Sequence, residues 1–108
     1  MNLPHITDFN PTYTVARSEY VDLSRCYLPK AKNIRLGGTT VTYYSSYQNR
    51  TLKLNNITAP NITSLSTLCS YFVNLRNFEA INFDTSKVTT LYYSFYYCYN
   101  LPRLDISS

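Results

Sequence analysis

Two glycines, one methionine, one histidine and no tryptophan occur in a chain of 108 residues. So little glycine excludes collagen-like sequence and flexible glycine-rich linker. The three cysteines, Cys26, Cys69 and Cys98, are an odd number without C-x-x-C spacing, and the one histidine, His5, lies far from them. That pattern offers no zinc motif and no self-contained disulfide framework; it predicts buried free thiols. No stretch of about 18 apolar residues is found, so no membrane-spanning helix is expected. Met1-Asn2-Leu3-Pro4-His5 likewise lacks the basic and apolar regions of a secretion signal.

Acids are scarce too: six against ten Lys and Arg, giving a formal charge of +4. The cations are scattered, with no grouping denser than Lys30, Lys32 and Arg35, whereas nucleic-acid binding draws on clustered Lys and Arg. A solvated basic surface is the expectation. Neither a G-x-S-x-G elbow nor a glycine-rich phosphate loop is present, so nucleophilic catalysis, metal catalysis and a bound cofactor have no foothold. The protein is expected not to be an enzyme.

Polar and aromatic residues fill the space instead, with 12 tyrosines among abundant Thr, Asn, Ser and Leu. Sliding the chain against itself by 26 residues aligns residues 56–82 with 82–108. Asn56 then falls on Asn82, Ile57 on Phe83, Thr63 on Thr89, Leu65 on Leu91 and Phe78 on Leu104. Within a unit, Ile62, Leu65, Cys69 and Phe72 recur at helical spacing, and Val88, Leu91, Phe95 and Cys98 occupy the same frames. Each set predicts a helix with that face inward. The alternation in Phe78-Glu79-Ala80 and Leu104-Asp105-Ile106 predicts a short strand after each helix, and Leu52-Lys53-Leu54 predicts one a step earlier.

The expected fold is therefore α/β: a leucine-rich-repeat solenoid of about 26-residue units over 51–108, with units near 56–81 and 82–108. An extended N-terminal arm is expected over 1–19 and a β-rich cap over 20–50, where the period breaks. Residues Asn82-Phe83-Asp84-Thr85-Ser86-Lys87-Val88-Thr89, followed by Phe95, Cys98, Asn100-Leu101 and Leu104-Asp105-Ile106-Ser107, resemble the BspA-like leucine-rich repeat of bacterial surface proteins. Residues 56–81 match it more loosely and 1–50 not at all. The resemblance implies a non-catalytic module that binds a protein or glycan partner at a cell surface, extracellular if a leader precedes this chain. The alternative is a structural or receptor-binding component of a phage virion or another large assembly.

Two candidate surfaces follow. Lys53, Glu79 and Asp105 share one strand position in successive units and should form an outward ladder with a spacing of about 4.8 Å. With Val88, Leu91, Phe95 and Cys98 inward, Tyr93, Tyr96 and Tyr97 turn to solvent, with Tyr92 and Tyr99 at the flanks. Exposed tyrosines among Ser and Asn have the composition of a recognition surface, although ordinary amphipathic packing fits them equally. The last strand would also present an open edge, predicting self-association through the C-terminal repeat.

Overall fold

In the computed structural model, residues 2–10, 18–37, 48–70, 72–91, 94, 95 and 98 are described in full, and 105–107 by their backbone. Six short strands occur among them: β1 (Asp8–Phe9), β2 (Tyr20–Asp22), β3 (Asn33–Ile34), β4 (Thr51–Lys53), β5 (Asn77–Ile81) and β6 (Asp105–Ser107). All pairing is parallel, with β2-β4-β5-β6 forming one sheet and β1-β3 another. Isolated parallel bridges add a line through Asn2, Tyr27 and Thr58 and extend the β1-β3 line through Ser64 to Thr90. The chain thus winds in stacked turns, and side chains alternating inward from each turn form one core.

The α/β leucine-rich-repeat expectation is corrected by this structure, which is all-strand with no helix among the described residues. The inward spacing of Ile62, Leu65, Cys69 and Phe72 has another cause. Separate turns close there through Ile62 N–H to Ala59 C=O, Leu68 to Leu65, Phe72 to Cys69 and Leu75 to Phe72. Each turn takes three residues, which imitates a helical period. Intervening amides bond across the stack instead, Leu65 N–H to Thr90 C=O and Cys69 N–H to Ser94 C=O. Segments rich in Thr, Ser and Asn gain little from a helix, so cross-turn bonding wins. Within the expected 20–50 segment, β2 lies in the same sheet as β4, β5 and β6.

The strand register explains the repeat and its failure upstream. Thr51 pairs with Asn77 and Glu79 with Asp105, both 26 residues apart, but Tyr20 pairs with Thr51 at an offset of 31. Gly37 N–H bonds Leu68 C=O and Arg76 N–H bonds Arg50 C=O; Arg50 lies thirteen positions after Gly37, but Arg76 only eight after Leu68. The first turn carries five extra residues in that interval. After β2, β4 and β5 one residue takes a left-handed conformation: Arg25 (φ 66°), Asn56 (φ 57°) and Asn82 (φ 58°). Asparagine tolerates it at small cost, and the Asn82 side chain also donates to Asn56 at 3.1 Å.

The core comprises inward residues of successive turns. Val21, Leu28, Ile34 and Leu36 lie below Leu52, Leu54, Ile62 and Leu65, and then Phe78, Ala80 and Phe83; all are buried. The next positions are more open, with Val88, Phe95 and Cys98 half-buried and Leu91 63% exposed. Leu91 therefore does not occupy the inward helical face expected of it. Ser94 does the reverse, being 5% exposed with its hydroxyl donating to the Leu65 carbonyl at 2.7 Å. Gly37 sits where a Cβ would overlap the backbone nitrogen and carbonyl oxygen of Ser70.

Three substitutions check this packing by thermal melts. Ser94→Ala should destabilise by about 0.5–1.5 kcal/mol, as the Leu65 carbonyl loses one of its two donors and keeps the Leu68 N–H. Leu91→Ala should stay within about 0.5 kcal/mol of the parent, as exposed positions do. Gly37→Ala should destabilise more than Leu91→Ala, because the obstructing atoms are main chain and cannot rotate away.

Candidate functional site

Alternation along three adjacent strands makes a flat outward surface. Val21, Leu52 and Phe78 point inward, leaving Tyr20 and Asp22, Thr51 and Lys53, and Asn77 and Glu79 outward. Register then sorts these into rows: Tyr20, Thr51 and Asn77 in one, and Asp22, Lys53 and Glu79 in the next, with Asp105 continuing the second row by backbone pairing. The rows are about 4.8 Å per strand, close enough for neighbouring side chains to interact.

Lys53 lies at the centre of the second row, its Nζ 5.6 Å from the centroid of the Tyr20 ring. Hydrogen bonding to Tyr20, and then the Glu79 and Asp22 carboxylates, raise its pKa above the ordinary lysine value. Asp22 is held below the ordinary carboxylate value, first by the Ser24 side chain and then by the Ser24 backbone N–H, which donates to Oδ1 at 3.0 Å. Ser24 Oγ accepts from Asn55 N–H at 2.9 Å, and Asn55 Nδ2 donates to Glu79 Oε1 at 3.0 Å. Asn55 Oδ1 also accepts from Ile81 N–H at 2.9 Å. Glu79 is thus oriented through a side chain itself tied at two points.

Such a surface can hold a partner by hydrogen bonds, by the Lys53 charge and by the Tyr20 ring. General acid catalysis calls for a carboxyl kept protonated by a desolvated cleft. Asp22 is exposed with its pKa lowered, and Glu79 faces Asn55 and Lys53 on an open sheet.

Of the residues singled out from sequence, Lys53 and Glu79 are brought side by side, and Asp105 joins them in register. Tyr92, Tyr93, Tyr96, Tyr97 and Tyr99 lie outside the described residues. Tyr20, Asp22 and Asn55 are the additions. Tyr20-Val21-Asp22 shows the same alternation as Leu52-Lys53-Leu54, but its offset of 31 hides it from a 26-residue search.

The cysteines lie away from this face. Cys26 and Cys69 are buried and Cys98 is half-buried, and all three are free thiols. Cys98 Sγ donates to the Cys69 carbonyl oxygen at 3.0 Å. Burial pushes the Cys98 pKa up to about 11 and raises that of Cys69 well above its ordinary value. Among the described residues, no group of three or more His, Cys, Asp and Glu is placed to hold a metal ion. No helix among them is long and apolar enough to cross a membrane. Comparison with protein-family models, with curated proteins and with solved structures finds no match.

The raised thiol pKa predicts slow alkylation. Set against the ordinary value of 9.0, a pKa of about 11 leaves roughly a hundredth of the usual thiolate near neutrality. Iodoacetamide should therefore label native Cys98 about a hundredfold more slowly than the unfolded chain at pH 7.5, with the rate climbing as pH rises toward 11. Peptide mass spectrometry showing equal rates would place Cys98 in water.

Proposed function

We propose that this chain is a non-catalytic binding module that recognises a protein or glycan partner through the outward face of its four-stranded sheet. The observation that carries the reading is the row Asp22-Lys53-Glu79, set beside Tyr20-Thr51-Asn77 by strand register. Two of these side chains are further oriented, Asp22 by Ser24 and Glu79 by Asn55. Charged and amide groups already fixed on a rigid sheet lose little entropy when they meet a ligand. The Tyr20 ring, 59% exposed, adds a broad contact of the kind that recognition surfaces favour. The four-stranded sheet supplies the rigidity because each strand is fixed by its neighbours' backbones.

A structural place in a larger assembly is a second reading, favoured by the exposure of Ile81 at 39% and Leu91 at 63%. Displayed at a cell surface or carried within a particle, the module would use the same sheet face.

The test is a glycan array and a phage-displayed peptide library, each probed with the whole chain. Ligands found by either are titrated against the double variant Tyr20→Ser with Lys53→Glu. The expected result is a loss of at least about tenfold in affinity with the melting temperature unchanged, as for exposed hot-spot positions. Undiminished binding by a folded double variant, or no ligand on either platform, overturns the reading.

A further inference from the structure

Beneath the strand face lies a cavity of about 370 Å³, within the size range of small-molecule sites. Leu65 and Leu68 wall it from one turn, and Phe78, Phe83, Val88 and Phe95 from the next. We propose that this cavity binds an uncharged aromatic or aliphatic small molecule.

Three observations set that chemistry. Among the described residues the polar side chains in the lining are Thr85 and Ser94, and the Ser94 hydroxyl is engaged by the Leu65 and Leu91 carbonyls. A charged group or a peptide backbone entering here would find little beyond the Thr85 hydroxyl to replace its lost water, which disfavours both. Phe78 and Phe95 stand edge to face, with centroids 5.2 Å apart and planes at 87°, offering the contacts that aromatic guests prefer. The cavity is partly open to solvent, with Leu91 at its exposed rim, so a hydrocarbon can enter it, displace water from apolar walls and gain dispersion contacts. The site is separate from the sheet face, because Phe78 and Ala80 point inward while Asn77 and Glu79 point outward.

The probe is N-phenyl-1-naphthylamine, an uncharged fluorescent aromatic, titrated into the intact chain. Expected are saturable binding at one site, a blue shift in emission, and a rise in melting temperature, since a ligand selective for the folded state stabilises it. Ala80→Phe, at a buried lining position, should fill the space and weaken binding at least about tenfold while the chain stays folded. Should that variant fail to fold, Val88→Phe at the half-buried rim makes the same test. Tyr20→Ser on the sheet face should leave binding unchanged. Non-saturable fluorescence, a fall in melting temperature on probe addition, or undiminished binding by a folded filled variant overturns the proposal. So does a dimer by light scattering that excludes the probe, which would assign the cavity to a second copy.

Discussion

Backbone hydrogen bonds between stacked turns are the constraint on which this molecule depends. Every strand is two to five residues long, and none could persist alone. What holds each is parallel pairing to a neighbouring turn, on both sides for β4 and β5. The same rule governs the corners, where Arg25 N–H bonds Asn55 C=O and Asn56 N–H bonds Ile81 C=O. It also governs the third side, where Thr63 N–H bonds Lys32 C=O and Thr89 N–H bonds Thr63 C=O. Because amides reach across rather than along the chain, the segments between strands need only close short turns. Polar, β-branched sequence serves that purpose better than a helix former would.

Once neighbours are locked in register, side chains repeat as rows, and the rows bring advantages and costs. Inward rows make the core continuous from Val21 to Phe83. Outward rows bring like groups together, as in the Asn56–Asn82 hydrogen bond and the stacking of Arg50 and Arg76 by backbone pairing. Lys53 between Asp22 and Glu79 is the favourable case, with alternating charge. Asp105 takes the register position beside Glu79, whose carboxylate accepts from the Asn55 amide and neighbours Lys53. Exposed pairs of this kind have little effect on stability in either direction, which leaves the row free to serve recognition.

Much of this register was legible in the sequence, and the type of element was not. The offset that aligns Asn56 with Asn82 and Thr63 with Thr89 is the offset at which those residues meet in space. The outward positions of Lys53 and Glu79 followed from period-two alternation, a local property that survives any change in the connecting segments. The helices failed because spacing at i, i+3 and i+7 records how often the chain turns inward, and consecutive tight turns do so nearly as often as a helix. Composition carried the missing signal. The stretch from Ile62 to Phe72 contains Thr63, Ser64, Ser66, Thr67 and Ser70, residues whose side chains compete with helical bonding, and Ser64 Oγ does accept from Ser66 N–H at 3.2 Å. Tyr20-Val21-Asp22 reads as a strand, but its place in the row with Lys53 and Glu79 was hidden for a different reason, since five extra residues before Arg50 move its repeat out of phase.

Stability in a stack of turns is a sum of neighbour contacts, so a residue's security depends on how many covered turns flank it. Leu52, Leu54 and Ile62 have a turn on each side and are almost fully buried. Val88, Leu91, Phe95 and Cys98 are the most open of the inward sequence, and the apolar cavity lies against the first three. Ser94, between them in sequence, is buried, and its hydroxyl shows why: donating to the Leu65 carbonyl, it ties this residue to the preceding turn where apolar contact is thin. The Cys98 thiol does the same at the Cys69 carbonyl. Polar tethers therefore take over from packing as the core opens. That division allows a cavity large enough for a guest to persist beside a sheet that remains rigid.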